Sequence, residues 1–192
     1  MAKLYFRYGA MGCGKTRDLI KTWYNYNNLG RNAIILKPIV DTKADDKIQT
    51  RAMEEIKVDF LIKEEDNIYQ IISNYIINNN LDCILVDEAQ FLSKDNIDSL
   101  SDVVDILDIP VICYGLRADF RQELFTGSKR LFEIADSIEE MKTICKCGKK
   151  ATNNVRFIGD EVIFEGEQIA IDGIDASYKA MCRKCLKKIK RN

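Results

Sequence analysis

The run Gly9-Ala10-Met11-Gly12-Cys13-Gly14-Lys15-Thr16 has the residue types and the G-x-x-x-x-G-K-[ST] spacing of a loop that grips nucleotide phosphates. Glycine at 9, 12 and 14 takes positive φ without a Cβ clash, so successive backbone N–H groups can turn inward around phosphate oxygens. A helix starting there aims the positive end of its dipole at the same anion. In such a loop Lys15 reaches the β- and γ-phosphates, and the Thr16 hydroxyl ligates Mg²⁺. A chance glycine turn would need neither the apolar run before it (Leu4, Tyr5, Phe6, Tyr8) nor the helix-like segment after it.

A second constellation lies at Ile84-Leu85-Val86-Asp87-Glu88. An apolar strand with carboxylates at its C-terminal tip places them where an open α/β sheet holds its ligands. Asp87 is expected to hold Mg²⁺ through water, opposite Thr16, which leaves Glu88 free to accept a proton. Taken alone, two acids after an apolar run can be simple strand-end solvation; the phosphate loop upstream turns the pair into a site. The chain has no histidine, so a general base must come from Asp, Glu, Lys, Cys or Tyr.

The third constellation is sulfur. Cys145-Lys146-Cys147 and Cys182-Arg183-Lys184-Cys185 flank two β-like runs, Asn154 to Ile158 and Glu161 to Phe164, joined by a Gly159-Asp160 turn. Two cysteine pairs around a hairpin form a zinc-ribbon pattern. Four thiolates about 2.3 Å from one Zn²⁺ would hold a segment too small for a core of its own. A redox role is the rival for the second pair. The remaining Cys13, Cys83 and Cys113 read as loop or buried thiols.

The elements that position these groups follow from periodicity. Residues 3–8 read as a strand and 15–27 as a helix with Leu19, Ile20, Trp23 and Tyr26 on one face. Ala33 to Leu36 is a continuous apolar run, the mark of a strand buried on both faces. Strand, helix, strand in this order predicts a right-handed βαβ unit and a parallel sheet. Pro38 to Lys57 has no clear pattern. Val58 to Ile62 reads as a strand, and Asp66 as the cap of a helix to about Asn79 with Ile68, Ile71, Ile72, Tyr75 and Ile76 inward. A helix over 94–107, a strand from Pro110 to Tyr114 and a short helix over 128–135 follow. Between the last two, Leu116 to Phe125 mixes large apolar and charged residues in a loop at the ligand edge. Its aromatics either stack on a planar ring or fold back into the core.

At 192 residues with 46% apolar and 31% charged content, the chain suits one domain with a small appendage. A net charge of −1 calls for no nucleic acid or anionic lipid. The seven basic residues from Lys179 to Arg191 read as a solvated helix face. No run has the length of a membrane span and no signal-peptide pattern opens the chain, so a cytoplasmic protein with reduced thiols is expected.

Together these features resemble the zinc-containing thymidine kinase family of the cytosolic type. The resemblance rests on Gly9 to Thr16, on Asp87-Glu88-Ala89-Gln90-Phe91 and on Tyr114 to Arg121. The four cysteines, Ile171-Asp172-Gly173 and Tyr178 complete it. It implies an α/β fold: a P-loop NTPase (RecA-like) parallel sheet with helices on both faces over 1–138, plus a zinc-ribbon lasso over 139–192 carrying the substrate loop. It implies ATP, Mg²⁺ and structural Zn²⁺ as cofactors, and transfer of the γ-phosphoryl group to the 5′-hydroxyl of thymidine in nucleotide salvage. Glu88 corresponds to the general base. Gly9, Ala10, Met11, Gly12, Cys13, Gly14, Lys15, Thr16, Asp87 and Gln90 correspond to the ATP site, and Thr16 and Asp87 to the Mg²⁺ ligands. Met11, Leu116, Phe120 and Phe125 match residues enclosing the thymine ring. Ile169, Ile171, Gly173 and Tyr178 match the substrate loop, and Cys145, Cys147, Cys182 and Cys185 the zinc ligands. Relatives are homotetramers, without nucleic-acid or membrane partners.

The chain departs from the family in two places. Members often have Asp-Thr-Arg where it has Asp41-Thr42-Lys43, so that either Lys43 or Arg51 supplies the cation at the transferring group, Lys43 without the bidentate fork. The first cysteine pair is C-x-C rather than C-x-x-C. Two other functions share the phosphate loop: an ATPase whose zinc ribbon grips nucleic acid, and a module that binds ATP without turnover. Neither needs the ring-enclosing loop at 116–125.

Overall fold

The computed structural model describes residues 1–39, 47–49, 55–168 and 176–191. The chain opens β1 (Leu4–Gly9), α1 (Lys15–Asn28), β2 (Ala33–Pro38), β3 (Lys47–Gln49), β4 (Glu55–Lys57) and β5 (Phe60–Ile62). It continues with α2 (Ile68–Ile76), β6 (Cys83–Val86), a 3₁₀ turn (Ala89–Phe91), α3 (Lys94–Leu107), β7 (Val111–Gly115), α4 (Thr126–Ile134) and β8 (Ser137–Met141). The last part holds β9 (Thr143–Ile144), β10 (Lys150–Ala151), β11 (Asn153–Ile158), β12 (Glu161–Ile163), β13 (Ala176–Met181) and α5 (Arg183–Ile189).

Six strands form one sheet in the order β5-β2-β6-β7-β1-β8, and every pairing in it is parallel. The period-2 alternation of a strand sorts its side chains onto two faces. Ile34 and Leu36, Ile84 and Val86, and Val111 and Cys113 point into a cluster with Ile68 and Ile72 of α2, Leu100 and Val103 of α3 and Leu131 of α4. Ala33 and Ile35, Cys83 and Leu85, and Ile112 and Tyr114 point the other way, against Leu19 and Ile20 of α1. Cys83 and Cys113 are thus core thiols, buried on opposite faces. Helices therefore cover both faces of the parallel sheet, the layered α/β architecture expected.

Details differ from expectation for local reasons. The cap of α2 is Asn67, whose side chain accepts the Gln70 N–H at 2.9 Å; Asp66 turns back to the Lys63 N–H at 2.8 Å. The unpatterned stretch after Pro38 includes an antiparallel ribbon, β3 with β4, because Ile48 and Ile56 bury against the α1 side of the sheet. Strand β8 runs across the expected boundary at 138 and closes the sheet beside β1. The C-terminal part, expected to be too small for a core of its own, has a small apolar cluster of Val155, Phe157 and Leu186 against β12-β11-β13. Among the described residues no helix is long and apolar enough to cross a membrane.

Candidate active site

Because the six strands are parallel, their C-terminal tips share one edge. Gly9 of β1 opens the phosphate loop there, Val86 of β6 delivers Asp87 and Glu88, and Gly115 of β7, which lies between β1 and β6, delivers the loop from Leu116. The three segments singled out in the sequence meet at this edge.

In the phosphate loop Gly12 and Gly14 have φ of 75° and 90°, the left-handed conformation that glycine takes without a Cβ clash. The Met11 N–H donates to Asn154 Oδ1 at 2.8 Å and the Cys13 N–H to the Ala10 carbonyl at 3.3 Å. Among the described residues, the N–H groups of Gly12, Gly14, Lys15, Thr16 and Arg17 have no protein acceptor. Those are the donors left for an anion at the start of α1. Lys15 is buried with its Nζ 4.0 Å from Cys13 Sγ, and Thr16 is half-buried beside it. Any Cβ on Gly9 would strike the Met141 carbonyl and the Cys13 side chain, so this position admits glycine alone.

At the neighbouring tip Asp87 is buried, and its Oδ1 has no hydrogen-bond partner among the described residues. Burial, and next the adjacent Glu88 carboxylate, push its pKa up to about 7; the Glu88 backbone N–H and the ammonium groups of Lys15 and Lys37 pull the other way. An orphaned buried carboxylate oxygen within electrostatic reach of Lys15, on the edge that carries the phosphate loop, fits a hard divalent cation, so the donor set suits Mg²⁺. Glu88 has φ 50°, ψ 37° and is half-buried, standing before the 3₁₀ turn. Gln90, fully buried, donates its amide to Glu88 Oε2 and accepts the Leu116 N–H on its Oε1 at 3.0 Å. Gln90 thus orients the carboxylate and ties it to the loop after β7.

That loop turns on Asp119, whose buried carboxylate accepts the N–H groups of Arg121 and Glu123, each at 2.9 Å. Of the two arrangements open to this loop's aromatics, Phe120 and Phe125 are folded in and buried. Phe125 meets Phe91 edge-on with centroids 5.4 Å apart, and Phe120 lies under the Arg156 guanidinium, 3.8 Å from its centroid. Leu116 is half-buried. Strand β11 supplies residues that the sequence did not flag: Asn154 bridges Met11 to the Ala118 carbonyl, donating to the latter at 3.1 Å, and Arg156 donates to the Tyr178 hydroxyl at 2.8 Å. Ile169, Ile171, Gly173, Lys43 and Arg51 lie outside the described residues.

The sulfur atoms of Cys145, Cys147, Cys182 and Cys185 all lie within 4.8 Å of one another, Cys147 and Cys182 at 3.6 Å. Tetrahedral bonds of about 2.3 Å demand sulfur separations of about 3.8 Å, so the four fit Zn²⁺. Backbone N–H groups of Cys147 and Cys182 aimed at Cys145 bring its thiol pKa down to about 6, favouring the thiolate a metal requires. The C-x-C spacing is accommodated by a turn in which the Gly148 N–H donates to the Cys145 carbonyl at 2.8 Å, with Gly148 at φ 80°.

A phosphate loop and an acidic strand tip on one edge of a parallel sheet, closed by a cysteine-clasped appendage, define a phosphoryl-transferring P-loop enzyme. The family model described as thymidine kinase matches residues 2–186, and the chain belongs to that family. It is 42% identical to the thymidine kinase of Francisella tularensis subsp. holarctica, over 96% of each chain. It is 44% identical to that of Shewanella oneidensis over 96% of each, and 46% to that of Haemophilus influenzae strain Rd over 95% of each. Among solved structures the Legionella pneumophila ATPase DotB aligns with a TM-score of 0.35 at 16% identity, covering 78% of this chain and 43% of that one; so slight a likeness carries no weight.

Proposed function

We propose that the chain is an ATP-dependent thymidine kinase that transfers the γ-phosphoryl group to the thymidine 5′-hydroxyl, giving dTMP and ADP, with Glu88 as the general base. The observation that carries this reading is the shared edge: free phosphate-loop amides at the tip of β1 and the Glu88 carboxylate at the tip of β6, with the loop from Leu116 between them.

Phosphoryl transfer asks the protein for in-line positioning and charge neutralisation rather than covalent chemistry. The amides of Gly12, Gly14, Lys15 and Thr16, with the Lys15 ammonium, hold the triphosphate. Thr16 and Asp87 would hold Mg²⁺, which supplies further neutralisation of phosphate charge. Glu88, aimed by Gln90, accepts the proton of the 5′-hydroxyl as its oxygen attacks phosphorus and the bond to ADP breaks. Met11 and Leu116, half-buried, face the thymine ring, while Phe120 and Phe125 form the packed wall behind them. Tyr178 and the segment holding Ile169, Ile171 and Gly173 close the other side. Cys145, Cys147, Cys182 and Cys185 would hold Zn²⁺ in a structural role. A cytoplasmic homotetramer completes the proposal.

The test is to incubate the purified protein with Mg·ATP and each common nucleoside and to analyse for 5′-monophosphates. Conversion of thymidine to dTMP is expected. ATP hydrolysis without a phosphorylated nucleoside, stimulated by DNA or RNA, would contradict the proposal.

A further inference from the structure

Arg156 is a buried cation, 5% exposed, and among the described residues no carboxylate lies within 4.0 Å of it. A charge removed from water without an ionic partner needs full satisfaction from neutral groups. Arg156 has it, from an unusual set. Its plane lies over Phe120, its Nε donates to the Tyr178 hydroxyl at 2.8 Å, and its two terminal nitrogens donate to the carbonyls of Glu167 at 2.9 Å and Gln168 at 3.0 Å. Gln168 is held a second time, through Asp119 at 3.2 Å. One side chain therefore touches the backbone at Glu167 and Gln168, Tyr178 in β13, and a ring of the loop after β7. None of these contacts involves the phosphate loop or a cysteine.

We propose that Arg156 is a positioning residue that sets nucleoside affinity by fixing Phe120, Tyr178 and the Glu167–Gln168 backbone in one geometry. The inference rests on the nucleoside-kinase reading above, and assigns the site's acceptor side to a residue that does not itself touch substrate. The planar fork is what the geometry uses. A guanidinium donates along three directions in its plane while offering its face to a ring; an ammonium cannot do both. The Met11 N–H, at the phosphate loop, is tied instead to Asn154, two residues away on the same face of β11. Loss of Arg156 should accordingly separate the two substrates.

The test is steady-state kinetics of Arg156→Lys and Arg156→Gln beside the wild-type protein, with zinc content and melting temperature measured on the same samples. Expected is a thymidine KM raised roughly 10- to 100-fold in both variants, from the loss of at least two charge-assisted hydrogen bonds. The ATP KM should stay within about twofold and zinc should remain at wild-type content. A thymidine KM within about twofold of wild type in Arg156→Lys would overturn the proposal, as would equal rises in both KM values, which mark a merely structural residue. Should Arg156→Lys fail to fold, the same criteria apply to Tyr178→Phe, which removes one Arg156 acceptor and leaves the buried cation in place; an unchanged thymidine KM there overturns it. If the wild-type protein makes no dTMP, the kinase reading falls and takes this inference with it. If it makes dTMP and the variants keep their thymidine KM, this inference alone falls.

Discussion

Glu88 sits in left-handed backbone, φ 50° and ψ 37°, a conformation that costs a non-glycine residue on the order of 1 kcal/mol. The 3₁₀ turn that follows and the Gln90 amide hold it there, so the carboxylate is aimed before substrate arrives. Glu88→Gln keeps the shape and removes the basicity. Turnover should fall roughly 10²- to 10⁴-fold with ATP binding intact; near-normal kcat in this variant would exclude Glu88 as the base. Asp87 gives a second prediction at this scale. Its pKa is raised above the ordinary carboxylate value, so the folded chain binds the proton more tightly than the unfolded chain does. Its stabilising contribution is present at acid pH and is lost as pH rises through about 7. Asp87→Asn should therefore raise the melting temperature of the ligand-free protein at pH 8, by a few degrees for about 1–2 kcal/mol, and change it little at about pH 4, near the ordinary carboxylate value. An equal effect at both pH values would contradict this assignment.

At the scale of elements, the 3₁₀ turn carrying Gln90 is held from behind by the first turn of α4. A Cβ on Gly127 would come within 2.8 Å of the Leu92 carbonyl, and closer still to that of Ala89. Gly127→Ala should push the turn away, lowering the melting temperature by several degrees, as about 1–3 kcal/mol of overpacking does, and reducing kcat more than it raises the ATP KM. Much of this level is legible in the sequence. β2, β6 and β7 read as buried strands because both faces are apolar, and α3 reads as a helix over 94–107, which in the fold Ser93 caps with Asn96. β8 and β13 do not read that way. They are edge strands whose side chains are exposed or half-buried throughout, so neither carries an apolar pattern. The same limit hid Asn154 and Arg156. Their roles come from contacts with residues distant in sequence, which no local spacing encodes, whereas the phosphate loop and the cysteine pairs are local motifs. The sequence leaves open whether Phe120 stacks on a ring or folds inward, because the cation covering it comes from another part of the chain.

For the whole molecule, the cysteine cluster and the small core of Val155, Phe157 and Leu186 share the work of holding β11 against the sheet edge. Through Asn154 and Arg156 that strand touches both the phosphate loop and the loop after β7. Replacing Cys145 and Cys182 together by Ser should release the metal, as zinc analysis would show, and cut thymidine phosphorylation at least about tenfold through loss of this docking. A fully active, zinc-free double variant would contradict a structural metal. Chelator treatment of the wild-type protein should give the same loss, restored by added Zn²⁺.

The central claim concerns one relation in space: the Glu88 carboxylate faces the acceptor alcohol while the phosphate-loop amides hold the donor. A crystal structure with a bisubstrate analogue, thymidine joined through its 5′-oxygen to a phosphate chain and adenosine, measures it directly. The account predicts a Glu88 oxygen within about 3 Å of that 5′-oxygen, with the phosphates on the Gly12 to Thr16 amides. A carboxylate turned away from the 5′-oxygen, or a thymine ring bound elsewhere than between the loop after β7 and Tyr178, would contradict it.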